Sequence, residues 1–112
     1  MSEHHGSCHC GRISLILRDE PADAAECNCS VCRRIAGLWH YCPPAALSVD
    51  GEGVSYQQGD RMLDLWHCPT CGCMTHWTSV DPAYQRVGVN LRMFDPALWS
   101  DLPRRLVDGA SF

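Results

Sequence analysis

Lysine is absent from this sequence of 112 residues, and all nine basic residues are arginine. They are outnumbered by 13 acidic residues, so the formal net charge is −4 at pH 7. A nucleic-acid-binding domain needs an excess of positive charge to displace the counterions of phosphate groups. The charge balance therefore argues against a nucleic-acid partner, and the exclusive use of arginine indicates either anion binding or codon bias.

Long apolar runs are also missing. No segment reaches the roughly 18 consecutive apolar residues of a membrane-spanning helix. The first residues, Met-Ser-Glu-His-His-Gly, lack the basic and apolar segments of a secretory signal. We therefore expect no membrane partner and a cytoplasmic location. Because the cytoplasm keeps thiols reduced, the nine cysteines, an odd number, are expected to be metal ligands or reactive thiols rather than disulfides.

No repeat, low-complexity segment or linker divides the chain, so we predict a single domain over residues 1–112. A chain of this length buries about two-thirds of the surface that it exposes when unfolded, which leaves a thin core. Bound metal is a common supplement to such a core in small proteins.

Short strand patterns separated by Gly, Pro and Asp turns dominate the chain. Ile13, Leu15 and Leu17 alternate on one face of a strand within residues 12–18. Further strands are predicted at residues 38–42, 47–49, 54–56, 62–67, 74–78 and 86–92. Asp50-Gly51 is expected to form a hairpin turn, and a short helix is predicted to be capped by Ser30 and ended by Gly37. The predicted fold class is therefore mainly β, with antiparallel sheets and little helix.

Seven of the nine cysteines fall into three tight clusters with the spacing of metal ligands. Cys68 and Cys71, followed by Gly72, have the spacing of a zinc knuckle, which supplies half of a tetrahedral site. Cys8 and Cys10, also followed by glycine, are the most plausible other half. These four thiolates would form a closed, structural zinc site. The rival interpretation, a thioredoxin-like redox pair, is disfavoured because that motif normally opens a helix, whereas strands flank this one.

The third cluster, Cys27, Cys29 and Cys32, offers three thiolates and no attached fourth ligand. Three protein ligands and a vacancy are typical of a catalytic zinc, which can bind a thiol and lower its pKa. A closed second site remains an alternative, with its fourth ligand drawn from Cys42, Cys73, His40, His67 or His76. A metal-free cluster is a further alternative.

The remaining candidates have plainer explanations. Cys42 and Cys73 are expected to be small buried hydrophobes, and His9 is expected to point away from its neighbouring ligands. His4 and His5 are expected to be loose N-terminal residues. Four aromatic residues are expected in the core rather than in a platform for substrate: Trp39, Tyr41, Trp66 and Trp77. Arg33, Arg34 and Arg92 are expected to be solvated and Asn90 to lie at a strand edge, although these four could contact an anionic tripeptide.

Taken together, these motifs resemble a known family. The segments Gly6-Ser7-Cys8-His9-Cys10-Gly11, Cys27-Asn28-Cys29-Ser30-Val31-Cys32-Arg33-Arg34 and Cys68-Pro69-Thr70-Cys71-Gly72, with Val89 to Asp95 and Val107-Asp108-Gly109, are similar to those of the glutathione-dependent formaldehyde-activating enzymes, also called the centromere-protein-V-like family. The resemblance spans nearly the whole chain. It implies an Mss4-like fold, a structural zinc on Cys8, Cys10, Cys68 and Cys71, and an activity-linked zinc on Cys27, Cys29 and Cys32.

The resemblance also implies a reaction. Members of the family add glutathione to formaldehyde, which makes this chain a candidate carbon-sulfur lyase with two zinc ions, glutathione as co-substrate, and a small thiol and aldehyde as partners. An alternative from another class is a non-enzymatic zinc module that binds a protein partner, since a fold does not determine a function. Such a module would need an exposed apolar patch, which the tryptophans could supply only if they were exposed.

Overall fold

The computed structural model describes residues 3–111, so residues 1, 2 and 112 of the predicted domain lie outside the described residues. Within that range, ten strands alternate with two one-turn helices and three 3₁₀ turns: β1 His4–Ser7, β2 Ser14–Leu17, β3 Ala24–Cys27, α1 Cys32–Ile35, β4 Trp39–Cys42, β5 Leu47–Asp50, β6 Val54–Tyr56, β7 Leu63–His67, β8 Met74–Ser79, β9 Val87–Asn90, α2 Pro96–Trp99 and β10 Arg104–Val107, with 3₁₀ turns at Pro44–Ala46, Leu91–Met93 and Gly109–Ser111. The predicted fold class, mainly β with little helix, is confirmed. Neither helix in this range is long and apolar enough to cross a membrane.

The strands form two sheets. One has three strands in the order β1-β2-β5, and the other has seven in the order β10-β3-β4-β9-β8-β7-β6. All neighbouring pairs are antiparallel except β10 and β3, which run parallel with Val107 beside Cys27. This parallel pair brings the end of the chain next to the middle cysteine cluster.

The main core contains residues from both sheets. Ile13, Leu15 and Leu17 are almost fully buried, as their alternation predicted, and they belong to one apolar cluster with Val87 and Val89 of β9. Each such side chain contributes about 1.5–3 kcal/mol when it leaves water. The three-stranded sheet and one face of the larger sheet are therefore held together by this cluster.

A second, smaller cluster lies on the other side of the larger sheet. Its buried members are Ala25, Trp39, Leu65 and Trp77, and Cys27, Cys32 and Tyr41 pack against it. Gly88 makes room for Trp77, because a Cβ at Gly88 would overlap the indole ring. This face carries both tryptophan rings and the middle cysteines.

The predicted hairpin at Asp50-Gly51 is wrong. β5 pairs with β2 in the small sheet, whereas β6 pairs with β7 in the large one, so the turn moves the chain between sheets. Gly51 is needed for this crossing because its φ is +109° and a Cβ there would overlap the Arg12 carbonyl oxygen. Local turn chemistry predicted the turn but not the sheet to which each arm belongs.

The local predictions for the N-terminal histidines and for the ends of the first helix are also wrong. His4 and His5 are not loose, because they form β1, and His4 Nε2 lies 2.8 Å from a carboxylate oxygen of Glu20. Ser30 does not cap α1 and Gly37 does not end it. The helix has a single turn, and Ala36 ends it in a left-handed conformation with φ +54°.

Candidate metal centres and flanking clefts

The first and last cysteine pairs converge at one point. Cys8 and Cys10 lie in the β1–β2 connection, Cys68 and Cys71 lie in the β7–β8 connection, and their four Sγ atoms are all within 4.8 Å of one another. The sulfurs of Cys8 and Cys10 are 3.7 Å apart, and those of Cys10 and Cys68 are 3.6 Å apart. A tetrahedral site with Zn–S bonds of about 2.3 Å requires sulfurs about 3.8 Å apart. The four residues therefore fit a closed metal site.

Both connections are tight turns with backbone donors aimed at sulfur. Gly11 and Gly72 each have φ +82°, a conformation that a side chain disfavours. The Ile13 amide donates to Cys8 Sγ over 3.3 Å, and the Thr70 amide donates to Cys68 Sγ over 3.4 Å. Such donors stabilise thiolates, which are the form that binds metal.

The thiols of this cluster differ in acidity. The Arg12 amide acts to lower the pKa of Cys10, but burial and hydrogen bonds with Cys68, Cys8 and Cys71 raise it to about 11. Backbone amides of Cys73 and Cys10 hold the pKa of Cys71 down at about 5. A thiol with this pKa is ionised at neutral pH and ready to bind a cation. The role of these four residues as ligands of a structural zinc stays a prediction.

The middle cysteines form a separate group. Cys27 ends β3, Cys32 begins α1, Cys29 lies between them, and their three Sγ atoms are within 4.8 Å of one another. Within residues 3–111, no fourth Cys, His, Asp or Glu joins this group. We call these three residues the cysteine triplet.

The five residues considered as a fourth ligand lie elsewhere: Cys42, Cys73, His40, His67 and His76. Cys42 is buried in the main core, as expected, whereas Cys73 is only half-buried. His40 instead contacts Asp19, with Nε2 2.7 Å from the carboxylate. His76 is buried with its ring stacked on Trp66. The donor set therefore offers three thiolates and leaves a position open for another ligand.

Within the triplet, Cys29 is the thiol whose pKa is lowered. Partial burial acts to raise its pKa, but hydrogen bonds from the amide and the thiol of Cys32, followed by those from the Gln58 side chain and the Cys27 thiol, bring it below the ordinary value. The Cys32 amide is 3.4 Å from Cys29 Sγ, and Gln58 Nε2 is 3.7 Å away. Burial and the neighbouring sulfurs instead raise the pKa of Cys32 well above its ordinary range. A divalent cation would allow all three to ionise together.

Trp39 supplies an unusual polar atom beside the triplet. Its indole Nε1 is buried and has no hydrogen-bond partner among the described residues, although the ring is positioned to favour the thiolate form of Cys32. A buried donor without a partner costs about 1–3 kcal/mol. The unpaired N–H is therefore suited to a negative charge carried by the triplet when metal is bound.

The end of the chain closes one side of the triplet. Asn28 bonds to this segment three times. Its side-chain Nδ2 donates to Asp108 Oδ1 over 2.9 Å, and its side-chain Oδ1 accepts from the Ala110 amide over 2.9 Å. Its backbone amide donates to the Val107 carbonyl over 3.1 Å. Gly109 then lies directly over the sulfurs, since a Cβ there would overlap Cys27 Sγ and approach Cys29 Cβ to 3.2 Å. The closing Asp-Gly thus leaves space that a larger residue would fill.

Two clefts border this region. The aromatic cleft, of about 570 Å³, is lined by Tyr41, Met62, Leu63, Trp77, Ser79, Asp81, Tyr84, Arg86, Arg105 and Val107. The helix-side cleft, of about 330 Å³, is lined by Glu26, Cys27, Asn28, Cys32, Arg33, Ala36, Gly37, Leu38, Arg92 and Leu106. The second contains two triplet cysteines directly, and the first adjoins the triplet through Val107.

The arginines around the clefts were only partly foreseen. Arg33 and Arg92, which the sequence offered as anion contacts, line the helix-side cleft. Asn90 instead bonds to backbone groups of Leu38, Met74 and Arg92, and Arg34 donates to the Ser30 carbonyl. Arg86 and Arg105 were missed, because no motif contains them and only the β4–β9 and β3–β10 pairings bring them to Tyr41.

Within residues 3–111, the tryptophans do not supply the exposed apolar patch that a protein-binding module would need. Trp39 and Trp77 are 1% and 8% exposed, and Trp66 and Trp99 are half-buried. Trp99 is further covered by Arg92 and Arg104, whose guanidinium carbons lie 5.2 and 6.0 Å from the ring centroid. Trp39 and Trp77 are therefore packed in the core, as the sequence predicted, whereas Trp66 and Tyr41 are only half-buried. Trp77 and Tyr41 also line the aromatic cleft.

Comparisons with known proteins agree with this geometry. The model of a family described as glutathione-dependent formaldehyde-activating enzyme matches residues 3–104. A solved structure of a protein from Rhodobacter sphaeroides is 31% identical and has a TM-score of 0.73, and the match covers 90% of this chain and 99% of that one. No curated protein matches the chain.

Proposed function

Because the chain belongs to the glutathione-dependent formaldehyde-activating enzyme family, we propose that it is a zinc-dependent carbon-sulfur lyase that adds glutathione to a small aldehyde. The observation that carries the proposal is the cysteine triplet, which gathers three sulfurs within 4.8 Å and has no fourth protein ligand in residues 3–111. We assign one zinc to the triplet and a second, structural zinc to Cys8, Cys10, Cys68 and Cys71.

The open position is what the reaction requires. Zinc held by Cys27, Cys29 and Cys32 would supply Lewis acidity that lowers the pKa of a thiol bound in the open position. In the addition, the sulfur of glutathione forms a bond to the carbonyl carbon, the carbonyl π bond breaks, and the thiol proton ends on the oxygen of the resulting hydroxymethyl group. Atoms and electrons balance without an oxidant or reductant.

The protein contributes by orienting and shielding the triplet. The amide of Cys32 and the side chain of Gln58 donate to Cys29 Sγ, which fixes the direction of that thiolate. The bonds of Asn28 to Asp108 and Ala110 hold the chain end over the sulfurs. The flanking clefts let the reactants approach from the side that the backbone leaves open, which favours reaction by proximity.

Two cysteine variants test this division of roles. Formaldehyde and glutathione combine even without a catalyst, so the measurement is the acceleration of their exchange with the adduct, followed by NMR with ¹³C-formaldehyde. Wild-type protein purified without chelator should carry two zinc ions and accelerate exchange. Cys29→Ser should abolish the acceleration and preserve the fold by circular dichroism, whereas Cys71→Ser should cost the fold.

Three outcomes would contradict the proposal. A Cys29→Ser variant that keeps full acceleration would remove the triplet from the reaction. Loss of folding in both variants would show that the two sites do not differ in role. Wild-type protein with two zinc ions and no acceleration would leave the triplet without the proposed activity.

A further inference from the structure

The aromatic cleft is larger and less polar than the proposed small aldehyde needs. Its volume of about 570 Å³ lies within the range of pockets that enclose an entire small-molecule ligand. Tyr41, Leu63, Trp77 and Val107 give it mostly apolar walls. A one-carbon aldehyde would leave nearly all of this surface unused, and a polar tripeptide would gain little from apolar walls.

Two cations stand at one aromatic ring in this cleft. The guanidinium carbon of Arg86 lies 4.6 Å from the centroid of Tyr41, and that of Arg105 lies 5.7 Å from it. Arg86 directly precedes β9. Arg105 lies on β10, and its register partner on β3 is Ala25, whose small side chain leaves room for the guanidinium group to reach the ring. Two strands that are not neighbours therefore deliver positive charge to the same ring.

The two arginines differ in how far their charge is already compensated. Arg105 is paired with Asp23, with Nε 3.1 Å from the carboxylate. Among the described residues, no carboxylate lies within ion-pair distance of Arg86. Asp81 also lines the cleft, but one of its carboxylate oxygens accepts from the Ala83 amide over 2.9 Å. Of these two arginines, Arg86 is therefore the more available to an incoming anion.

The ring at these arginines lies on the same face of the large sheet as the triplet. Tyr41, Cys27 and Cys32 pack against one cluster, whose buried members are Ala25, Trp39, Leu65 and Trp77. Val107 lines the cleft and pairs with Cys27, so a ligand in the cleft can reach toward the sulfurs.

We propose that the aromatic cleft binds one reactant of the triplet through an apolar body and a carboxylate, with Arg86 as the main contact for the carboxylate and Arg105 as the second. The substrate class is therefore an apolar carboxylic acid that carries either the thiol or the carbonyl group. This inference rests on the proposed function for the type of reaction, the addition of a thiol to a carbonyl group, but not for the binding itself. It refines the substrates, because the apolar acid takes the place of either glutathione or the small aldehyde.

The first experiment tests binding with a ligand that cannot react. The zinc-loaded protein is titrated with 3-phenylpropionate and, as a neutral match, with 3-phenyl-1-propanol, and ¹⁵N–¹H NMR shifts are followed. The acid should bind more tightly and should shift the amides of Ser79, Gly88 and Val107 rather than those of Gly37 and Leu38 in the helix-side cleft. Equal affinities for acid and alcohol, shifts confined to the helix-side cleft, or no saturable binding would overturn the proposal.

Variants then assign the charge. Arg86→Gln should weaken binding of the acid about fivefold, the upper range for an exposed ion pair, and leave binding of the alcohol unchanged. Arg105→Gln should weaken acid binding less, because Asp23 already compensates that residue. Arg12→Gln, at an exposed arginine outside both clefts, is the matched control and should bind as wild type does. Unchanged acid affinity in both cleft variants would overturn the assignment.

A competition experiment shows which of the two reactants, the thiol or the carbonyl compound, binds in the cleft. In the exchange assay, 3-phenylpropionate should compete with the thiol if the cleft holds the thiol reactant, and with the aldehyde if it holds the carbonyl reactant. Binding in the cleft without competition against either would overturn the claim that a reactant sits there. If the protein forms no adduct at all, the proposed function fails while the binding results still decide the cleft.

Discussion

Adding a single methyl group at Gly109 should remove the metal from the cysteine triplet while preserving the four-cysteine site. The perturbation is Gly109→Ala. Gly109 has no left-handed φ, so alanine can adopt its backbone conformation and the effect comes from the methyl group alone. The change therefore tests the space over the sulfurs without adding backbone strain.

The magnitude follows from the packing around Gly109. The new Cβ would overlap Cys27 Sγ and lie 3.2 Å from Cys29 Cβ, whereas carbon atoms prefer separations of about 3.5–4.0 Å. Relief requires Cys27 or the chain end to move, and the chain end is held by Asn28. Overpacking of this kind costs about 1–3 kcal/mol of folding stability, and a displaced sulfur breaks the geometry that three ligands must share.

The assay counts zinc per chain by mass spectrometry of the metal and measures unfolding in urea. We expect two zinc ions in the wild type, one in Gly109→Ala, and an exchange rate reduced to the uncatalysed value. Gly53→Ala is the control, because its Cβ would meet the His67 carbonyl oxygen at 3.1 Å, near the edge of the large sheet opposite to the one that borders the triplet. A Gly109→Ala protein with two zinc ions and wild-type activity would refute the reasoning.

Two further predictions concern buried polar groups. Trp39→Phe removes the unpaired indole N–H and should weaken zinc binding at the triplet about tenfold, as loss of groups that support ligands typically does. Competition with a chelator measures the zinc affinity, and Trp77→Phe is the control. Equal zinc affinity in both variants would argue against the role of Trp39. Burial lowers the pKa of His76 to about 4 from an ordinary 6.5, so the unfolded state takes up a proton first and stability should fall as the pH drops from about 6.5 to 4, by up to about 3 kcal/mol. His76→Phe keeps an aromatic ring beside Trp66 and should reduce this slope in urea unfolding across that pH range, whereas an unchanged slope would contradict the assignment.

The sequence predicted the elements of the fold better than their partners. Alternation identified β2, and β-branched and aromatic runs identified β4, β7 and β8, because these signals depend on local side chains. β3 was missed because Ala24 to Cys27 has no alternating pattern, and its burial comes from neighbours on both sides. The parallel pairing of β3 with β10 joins residues about 80 positions apart, which no local pattern records.

The candidate site likewise has one part that the sequence predicted and another that only the fold shows. Cysteine spacing grouped Cys8 and Cys10 with Cys68 and Cys71, and it separated the triplet, because metal ligands cluster in short motifs. Gln58, Trp39 and Gly109 surround the triplet without belonging to any motif. Arg86 reaches the aromatic cleft only because β9 lies beside β4. The predicted ligands are thus visible in the sequence, whereas the groups that surround them depend on sheet order.

Topology also explains why two similar clusters of thiols can have different roles. A metal on Cys10 and Cys68 closes a loop of 58 residues and ties the small sheet to the large one. A metal on Cys27 and Cys32 closes only six residues, which strand pairing on both sides of β3 already holds in place.

If metal bridges are treated as cross-links, the chain entropy that they remove from the unfolded state corresponds to about 4 kcal/mol for the long loop and about 2 kcal/mol for the short one. The long-loop metal also joins segments that otherwise meet only through the main core, so its loss exposes apolar surface as well. Under the proposed assignment, a metal on the triplet would exchange its fourth ligand, or leave, with little effect on the rest of the sheet. That independence is what an open, exchangeable site needs, and it is why Cys29→Ser and Cys71→Ser should have such different consequences for folding.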